Sequence, residues 1–321
     1  MNKIIDIIKQ SSKIAILTHI SEDADALCSA EALLEGLKSL NKNVQIYVND
    51  TPESRLRFLD LNYIVYNEDD VSDDFDLCIC LDCGDLNRLG SRVKIFEDSN
   101  ITVNIDHHYT NPGYADENYV EGNASSTGEI IYKLLREGDI EISDRIAMLL
   151  YTAILSDTGG FRYSNTSPYT MGVAAELLEH NFDHSEIYRK IFETERREIL
   201  KFKGVVMENI HEYFDGKLCI TSVDKPEYDR FNVSEKDLGD IVNIPRMLEG
   251  CEIAVSVRKG IEKTKISFRS NGKYDVSVLA EKFDGGGHKM AAGASSVTSV
   301  AETEKQIIEI CREMYFNQKE Y

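Results

Sequence analysis

Histidine and aspartate recur where three short apolar runs end. IAILTHISEDAD brings His19, Asp23 and Asp25 together, the apolar run of LCICLDCGD ends on Asp82, and ITVNIDHH ends on Asp106, His107 and His108. Imidazole nitrogens mixed with hard carboxylate oxygens suit Mn²⁺, Mg²⁺ or similar ions better than thiophilic ones. His19 and Asp23 are four residues apart and Asp25 follows two later. Asp23 and Asp25 can therefore face different ions, with His19 sharing the one that Asp23 holds. Asp82, arriving on a separate run, is placed to bridge. Two neighbouring divalent ions can activate water and neutralise charge on a transferring phosphoryl group. A lone Asp or His at such a place is ordinarily a surface turn or a helix cap. Seven of them at three apolar run ends are better explained as one site.

These residues need a scaffold that gathers them. Short apolar runs are what strands buried on both faces look like, and in an open parallel sheet ligands sit beyond the strands' carboxyl ends. Strands are expected at Ile14 to His19, Val44 to Val48, Tyr63 to Tyr66, Leu77 to Asp82 and Ile101 to His108. Ala24 to Leu40 reads as an amphipathic helix with Ala26, Ala30, Leu33, Leu34 and Leu37 on one face. A polar, turn-rich stretch from Tyr109 to Asn123 precedes a helix opened by Ser126 and Thr127, with Glu129 in its first turn. Ser143 caps another helix that runs to SDTGGF, where Gly159 and Gly160 read as a helix stop. Further helices are expected at Pro168 to His180 and His184 to Phe192.

The fold class is α/β: a doubly wound, mainly parallel sheet over 1–192, a charged connecting helix over 193–214, and a smaller α/β domain over 215–321, with the active site in the cleft between the domains. In the second domain, strands at Lys217 to Val223, Glu252 to Arg258 and Thr264 to Arg269 precede a helix at Val276 to Phe283. The loop GGGHKMAAG and a closing helix, Ala301 to Tyr315, follow. Gly285, Gly286 and Gly287 could mark a tight turn, or let backbone N–H groups approach a phosphate.

Composition narrows the class. The chain has 321 residues, 42% of them hydrophobic, and 56 acidic against 36 basic side chains, a formal charge of -20. That balance repels long duplex nucleic acid, while a short phosphate-bearing ligand stays compatible with a metal-lined cleft. Pro245 to Met290 is locally basic. No apolar stretch approaches the roughly 18 residues that span a bilayer, and MNKIIDIIKQSSK reads as an amphipathic helix rather than an export signal. Seven cysteines, an odd number, fit a reducing cytosol. The alternation in LCICLDC suits Cys78, Cys80 and Cys83 as small apolar side chains rather than zinc ligands.

The set HISEDADALCS, LDCGDLNRLG, NIDHHYTN and LSDTGGF resembles the four ordered motifs of the DHH phosphoesterase superfamily. SFRSNG followed by GGGHKMAAG resembles its associated substrate-binding domain. Together they cover nearly the whole chain, and the likeness runs to the bacterial oligoribonuclease and adenosine-bisphosphate phosphatase branch. The resemblance implies that His19 and Asp23 hold one Mn²⁺ (Mg²⁺ or Co²⁺ being alternatives), and that Asp25, His107 and Asp157 hold another, with Asp82 bridging. It implies that His108 contacts the scissile phosphate and that Asp106 orients a metal-binding imidazole. It also implies that Arg269, with Gly285, Gly286, Gly287 and His288, grips the nucleotide, Arg258 contributing. Arg88 is expected to support its motif structurally.

The implied substrates are very short RNA, linear dinucleotides of the pApA type and 3′-phosphoadenosine 5′-phosphate, with a homodimer left open. Cyclic dinucleotide hydrolysis, inorganic pyrophosphatase activity and a non-catalytic nucleotide sensor are the alternatives. The pyrophosphatase should carry an Arg-Lys-Lys cluster, which the chain lacks, and the sensor should have lost ligands, which the chain keeps. Two positions depart from the family pattern. Glu22 stands where Pro is usual and is expected to add a carboxylate beside the metals. Cys28 stands where Gly is usual and should alter helix packing slightly.

Overall fold

A computed structural model describes residues 1–67, 74–234, 238 and 241–316. The chain divides into two compact units, Met1–Thr194 and Glu195–Tyr321.

The first unit runs α1 (Asn2–Gln10), β1 (Lys13–Leu17), α2 (Ala24–Ser39), β2 (Asn43–Val48), β3 (Ile64–Val65), β4 (Leu77–Leu81), α3 (Val93–Asp98), β5 (Thr102–Asp106), β6 (Glu117–Val120), α4 (Thr127–Glu137), α5 (Asp144–Asp157), α6 (Pro168–Leu177) and α7 (His184–Phe192). Its six strands are all parallel, in the order β3-β2-β1-β4-β5-β6. The chain leaves β1 toward one edge and, from β4 onward, builds toward the other. The crevice beyond β1 and β4 is therefore the point where such sheets take their ligands. Alternate side chains of the central strands feed two cores. Ile14, Ile16, Leu77, Ile79 and Leu81 pack with α2, α4 and α5 on one face. Ala15, Leu17, Cys78 and Cys80 pack with Leu89, Ile95 and Phe96 on the other. Burial on both faces is why these strands are continuously apolar. All seven cysteines are buried and free, those of LCICLDC included.

Strand β6 lies inside the stretch expected to be only turns. It pairs with β5 alone and is half exposed, so its sequence ENYV carries no apolar run. The helix caps follow the sequence: Asp23, Ser126 and Ser143 each accept a backbone N–H from the first turn of α2, α4 and α5.

The second unit holds α8 (Arg197–Glu208), β7 (Ile210–Tyr213), β8 (Leu218–Val223), α9 (Lys225–Phe231), α10 (Asn243–Arg246), β9 (Ile253–Lys259), β10 (Thr264–Ser270), α11 (Ser277–Glu281), β11 (Gly286–His288), β12 (Ala291–Ser296) and α12 (Val300–Cys311). Its sheet order is β11-β12-β10-β9-β8-β7, with β8 and β9 parallel and the other pairs antiparallel. The expected connecting helix is thus shorter than 193–214. It ends at Glu208, is followed by strand β7, and belongs to the second unit. GGGH is likewise an edge strand of a hairpin rather than a loop.

Candidate metal centre

His19 leaves β1 with its ring fixed: Nδ1 lies 2.8 Å from the Ile20 carbonyl oxygen and donates to it. That hydrogen bond sets the tautomer, leaving the Nε2 lone pair for a cation. Nε2 sits 3.8 Å from Asp23 Oδ2 and 3.5 Å from Asp82 Oδ2. Asp23 does two jobs with two oxygens. Oδ1 accepts the Ala26 N–H at 3.0 Å and caps α2, while Oδ2 faces His19. The ordinary cap and the chemical role coexist in one side chain. The Ile20 N–H donates to the Arg88 carbonyl at 2.7 Å, tying this turn to the second motif, so the Arg88 main chain has the supporting part expected of that residue.

Asp82 ends β4 in the left-handed region, φ 55°, a conformation a non-glycine residue holds only when its surroundings impose it. Its two oxygens point to different partners. Oδ2 faces His19; Oδ1 is 3.3 Å from His107 Nε2 and accepts the Thr127 hydroxyl at 3.0 Å. Asp25, in the first turn of α2, is almost fully buried. Its carboxylate accepts N–H bonds from Thr127 (2.8 Å) and Gly128 (2.9 Å) at the start of α4, and the Ser29 hydroxyl at 3.0 Å. A helix N-terminus is a natural seat for such a carboxylate. His107 Nε2 lies 4.0 Å from Asp25 Oδ2 and 3.8 Å from Asp157 Oδ2.

Asp157 is the last residue of α5. Gly159 (φ 58°) and Gly160 (φ 72°) stop the helix, and a Cβ on Gly159 would strike the Tyr163 ring at 2.4 Å. The helix-stop reading of SDTGGF is correct, and it is also what leaves Asp157 at the crevice. Three groups result, His19/Asp23/Asp82, Asp25/His107/Asp157 and Asp82/His107/His108, each offering donor atoms within 4.8 Å of one another.

The charges are those of a cation site. Burial, then the nearby Asp82 and Asp157 carboxylates, push Asp25 well above the usual carboxylate range. Burial, with Asp82 and Asp23, pushes Asp157 to about 6 against the pull of His107. Burial opposes protonation of His107, yet its hydrogen bond to Asp82 and the charges of Asp25, Asp82 and Asp157 carry it up to about 10. Asp82, despite burial, is pulled below the usual range by His107 and His19. Crowded carboxylates that raise one another's affinity for protons are neutralised as well by dications, and the mixed O/N donor set fits Mn²⁺ or Mg²⁺. Adding Mn²⁺ to metal-stripped protein should therefore raise the melting temperature; saturation at a hundredfold over Kd corresponds to about 2.7 kcal/mol. Differential scanning fluorimetry with and without chelator checks this.

Asp106, expected to orient a metal-binding imidazole, holds His108: Oδ1 accepts from His108 Nδ1 at 2.7 Å, and Oδ2 accepts from Asn111 Nδ2 at 2.7 Å. This bond, ahead of burial, which opposes it, raises the His108 pKa. His107 and His108, though adjacent, thus have different carboxylate partners. Thr127, Asn111 and Asn165, whose amide donates to the Asp157 carbonyl at 3.2 Å, complete the support. None was given a role at the site from sequence, although Asn111 stands in DHHYTN and Thr127 was read as opening α4.

The comparisons agree with this geometry. Residues 13–154 match the model for the DHH family, N-terminal domain, and residues 215–314 match the DHHA1 domain. The chain is 31% identical, over 94% of its length and 89% of the relative's, to the bifunctional oligoribonuclease and PAP phosphatase NrnA of Thermus thermophilus. It is 28% identical to the Bacillus subtilis protein of the same name, over 86% of this chain and 87% of that one. The chain belongs to the DHH family. Its DHH fold also matches the crystal structure of an exopolyphosphatase-related protein from Bacteroides fragilis, with TM-score 0.89, 26% identity, and 99% and 97% of the two chains covered. RecJ of Thermus thermophilus in complex with Mn²⁺, 13% identical with TM-score 0.57 over 97% of this chain and 54% of RecJ, shares the fold. The chain is a hydrolase acting on phosphoester bonds, from a family whose members are metal-dependent, and its His/Asp cluster could hold metal.

Of the two departures from the DHH pattern, Glu22 does not face the metals as expected. Glu22 is buried and turned to other partners. Its Oε1 accepts the Asn49 N–H at 3.1 Å and pairs with Arg92 Nη1 at 3.2 Å. Arg92, fully buried, also donates to the Tyr47 and Leu89 carbonyls at 2.8 and 3.1 Å. The pair ties the turn before Asp23 to the end of β2 and to the second motif. Removing one partner of a buried pair strands the other charge. Glu22→Ala should cost about 3–5 kcal/mol of stability, read by urea unfolding. Cys28 is fully buried in the main core on α2, its thiol pushed well up by burial and then by Asp25.

In the DHHA1 unit, strand pairing itself explains two of the three glycines. A Cβ on Gly285 would meet the Gly293 carbonyl at 2.3 Å, and one on Gly287 (φ 147°) would meet Ala292 at 2.5 Å, whereas Gly286 faces open space. His288 is exposed and pairs in register with Ala291, as does Arg269 from the other side of β12. Arg258 does not join them. It lies opposite Lys265, four residues along β10 from Arg269.

Proposed function

We propose that the chain hydrolyses very short oligoribonucleotides and linear dinucleotides of the pApA type to mononucleotides, and acts as a phosphatase on 3′-phosphoadenosine 5′-phosphate, with two divalent ions, Mn²⁺ first among them. The observation that supports this is the clustering of His19, Asp23, Asp25, His107 and Asp157 about Asp82, whose two oxygens face His19 and His107. The substrate class is supported by the names of relatives matched over most of their length, a Streptococcus mutans protein at 31% identity included.

When bound, the ions supply the nucleophile and the charge clamp of two-metal hydrolysis. His19, Asp23 and Asp82 would hold one, and Asp25, His107 and Asp157 the other, Asp82 serving both. The chain's own residues set the rest. Asp106 fixes His108 with Nδ1 donating, which turns Nε2 to the phosphoryl or leaving sugar oxygen. There, as an N–H donor, it stabilises developing negative charge. Asp25, anchored on the α4 N-terminus, and Thr127, bonded to Asp82, keep the two carboxylates from collapsing onto the histidines. Arg269 and His288 supply the grip on the nucleotide. Free, buried thiols throughout support residence in a reducing cytosol, and among the described residues no helix is long and apolar enough to cross a membrane.

Product release from pApA, 3′-phosphoadenosine 5′-phosphate, cyclic di-AMP, pyrophosphate and an RNA length series tests the proposal. Cleavage fastest on the linear dinucleotide and fading with length is expected. Turnover of pyrophosphate alone, of the cyclic dinucleotide in preference to the linear one, or of nothing would overturn it.

A further inference from the structure

The helix stop that leaves Asp157 at the crevice also carries an open aromatic surface. Residues 158–165 form a short turn that starts and ends at Asp157. The Thr158 carbonyl accepts the N–H groups of Arg162 and Tyr163, each at 3.0 Å, and the Asn165 amide returns to the Asp157 carbonyl at 3.2 Å. The Tyr163 ring lies directly on Gly159, where a Cβ would meet it at 2.4 Å. A Cβ on Gly160 would meet the Tyr188 ring at 3.1 Å and the Phe192 ring at 3.5 Å. Consecutive Cα atoms are about 3.8 Å apart. One ring from the turn and two from α7 therefore flank a single dipeptide, two and three residues beyond a proposed metal ligand. Tyr188 and Phe192 also touch each other, their ring centroids 5.1 Å apart.

These three rings do not fill a core. Tyr163, Tyr188 and Phe192 are 48%, 38% and 37% exposed. The neighbouring core is closed by other aromatics: Tyr151 packs against Phe161 and Phe182, with centroids 6.1 and 5.4 Å away. Single exposed rings are ordinary, but three gathered beside a site mark a surface that a ligand covers. Arg162 completes it. Its Nε donates to the Gly159 carbonyl at 2.7 Å, and its guanidinium lies 5.7 Å from the Tyr163 ring centroid. It forms no ion pair among the described residues. Flat π faces beside a guanidinium are what nucleic-acid bases stack on, and such stacking accepts any base because every base has a π face.

We propose that Tyr163, with Tyr188, Phe192 and Arg162, is a platform on which one base of the substrate stacks while the adjoining phosphate lies at the metal centre. The inference rests on the reading of the chain as an enzyme of short nucleotides and adds what the substrate must carry besides phosphate. It places a base contact on the first unit itself, independent of Arg269 and His288. A sugar phosphate or pyrophosphate, lacking a base, gains nothing from the platform.

The test is calorimetric binding of AMP and of ribose 5-phosphate, which share a phosphorylated ribose and differ in the base, to the Mn²⁺-loaded protein. The wild type should bind AMP about tenfold more tightly, within the range for one stacked base. Tyr163→Leu should lose that preference while its affinity for ribose 5-phosphate stays the same, and Tyr163→Phe, which restores the ring, should keep it. The double variant Tyr188→Leu, Phe192→Leu should reduce the preference several-fold with the turn intact. Melting temperatures check each fold, and the α7 pair carries the test if Tyr163→Leu is destabilised. Product release from pApA by the same preparation reports on the hydrolytic reading separately, because binding of AMP requires no turnover. A wild type indifferent to the base, a preference unchanged in both leucine variants, or AMP and ribose 5-phosphate weakened alike would overturn the proposal.

Discussion

Asp82→Asn should reduce kcat/KM for pApA on the order of 10,000-fold, about 5.5 kcal/mol of transition-state stabilisation. Each oxygen of Asp82 faces one histidine-bearing triad, and Thr127 and the strained backbone hold it there. An amide keeps the shape but gives one neutral acceptor and one donor in place of two anionic acceptors. It cannot serve two cations. Loss of both ions, or of their coupling, should accompany loss of rate, whereas the fold persists because Asp82 ends β4 rather than filling a core. Stopped assays at saturating Mn²⁺ with circular dichroism on the same preparation separate these. Near-normal turnover would remove the bridge from the mechanism.

His108→Ala should lower kcat on the order of 100- to 1,000-fold, the range for losing one preorganised donor to transition-state charge, while Mn²⁺ binding is unchanged. The neighbouring His107→Ala should instead lose metal. The contrast follows from partners: His107 Nε2 faces three carboxylates, whereas His108 Nδ1 is taken by Asp106. Asp106→Ala should follow His108 in kcat with a smaller loss, about 10- to 100-fold, as is usual for a group that orients another. If His108→Ala released a metal ion, His108 would be a ligand, and the assignment of separate tasks would fail.

Much of the site was legible because its residues sit at the ends of strands buried on both faces. Continuous apolar runs mark such strands plainly, and the residue that follows each run is positioned by the sheet. His19, Asp82 and His107 follow from that rule alone. Asp157 was harder: a helix end before two glycines has a sufficient structural explanation, and its position at the crevice depends on how α5 crosses the sheet. Supports such as Thr127 and Arg92 were not legible. Their partners are remote in sequence, 45 residues away for Thr127 and Asp82 and 70 for Arg92 and Glu22. Glu22 was read as facing the metals because it adjoins Asp23. Neighbouring residues in a turn point different ways, and a buried arginine claimed it. The second unit was less legible where the edge strands β7 and β11, and β12 beside β11, carry glycine, alanine and charge instead of an apolar pattern.

The measurement that tests the central claim most directly is the count and magnetic state of Mn²⁺ in the loaded wild-type protein, by metal analysis and electron paramagnetic resonance on one sample. Two ions per chain with an exchange-coupled signal that Asp82→Asn abolishes is the predicted result. A single uncoupled ion, or two whose signal is indifferent to Asp82, would contradict a shared two-metal centre at the three strand ends.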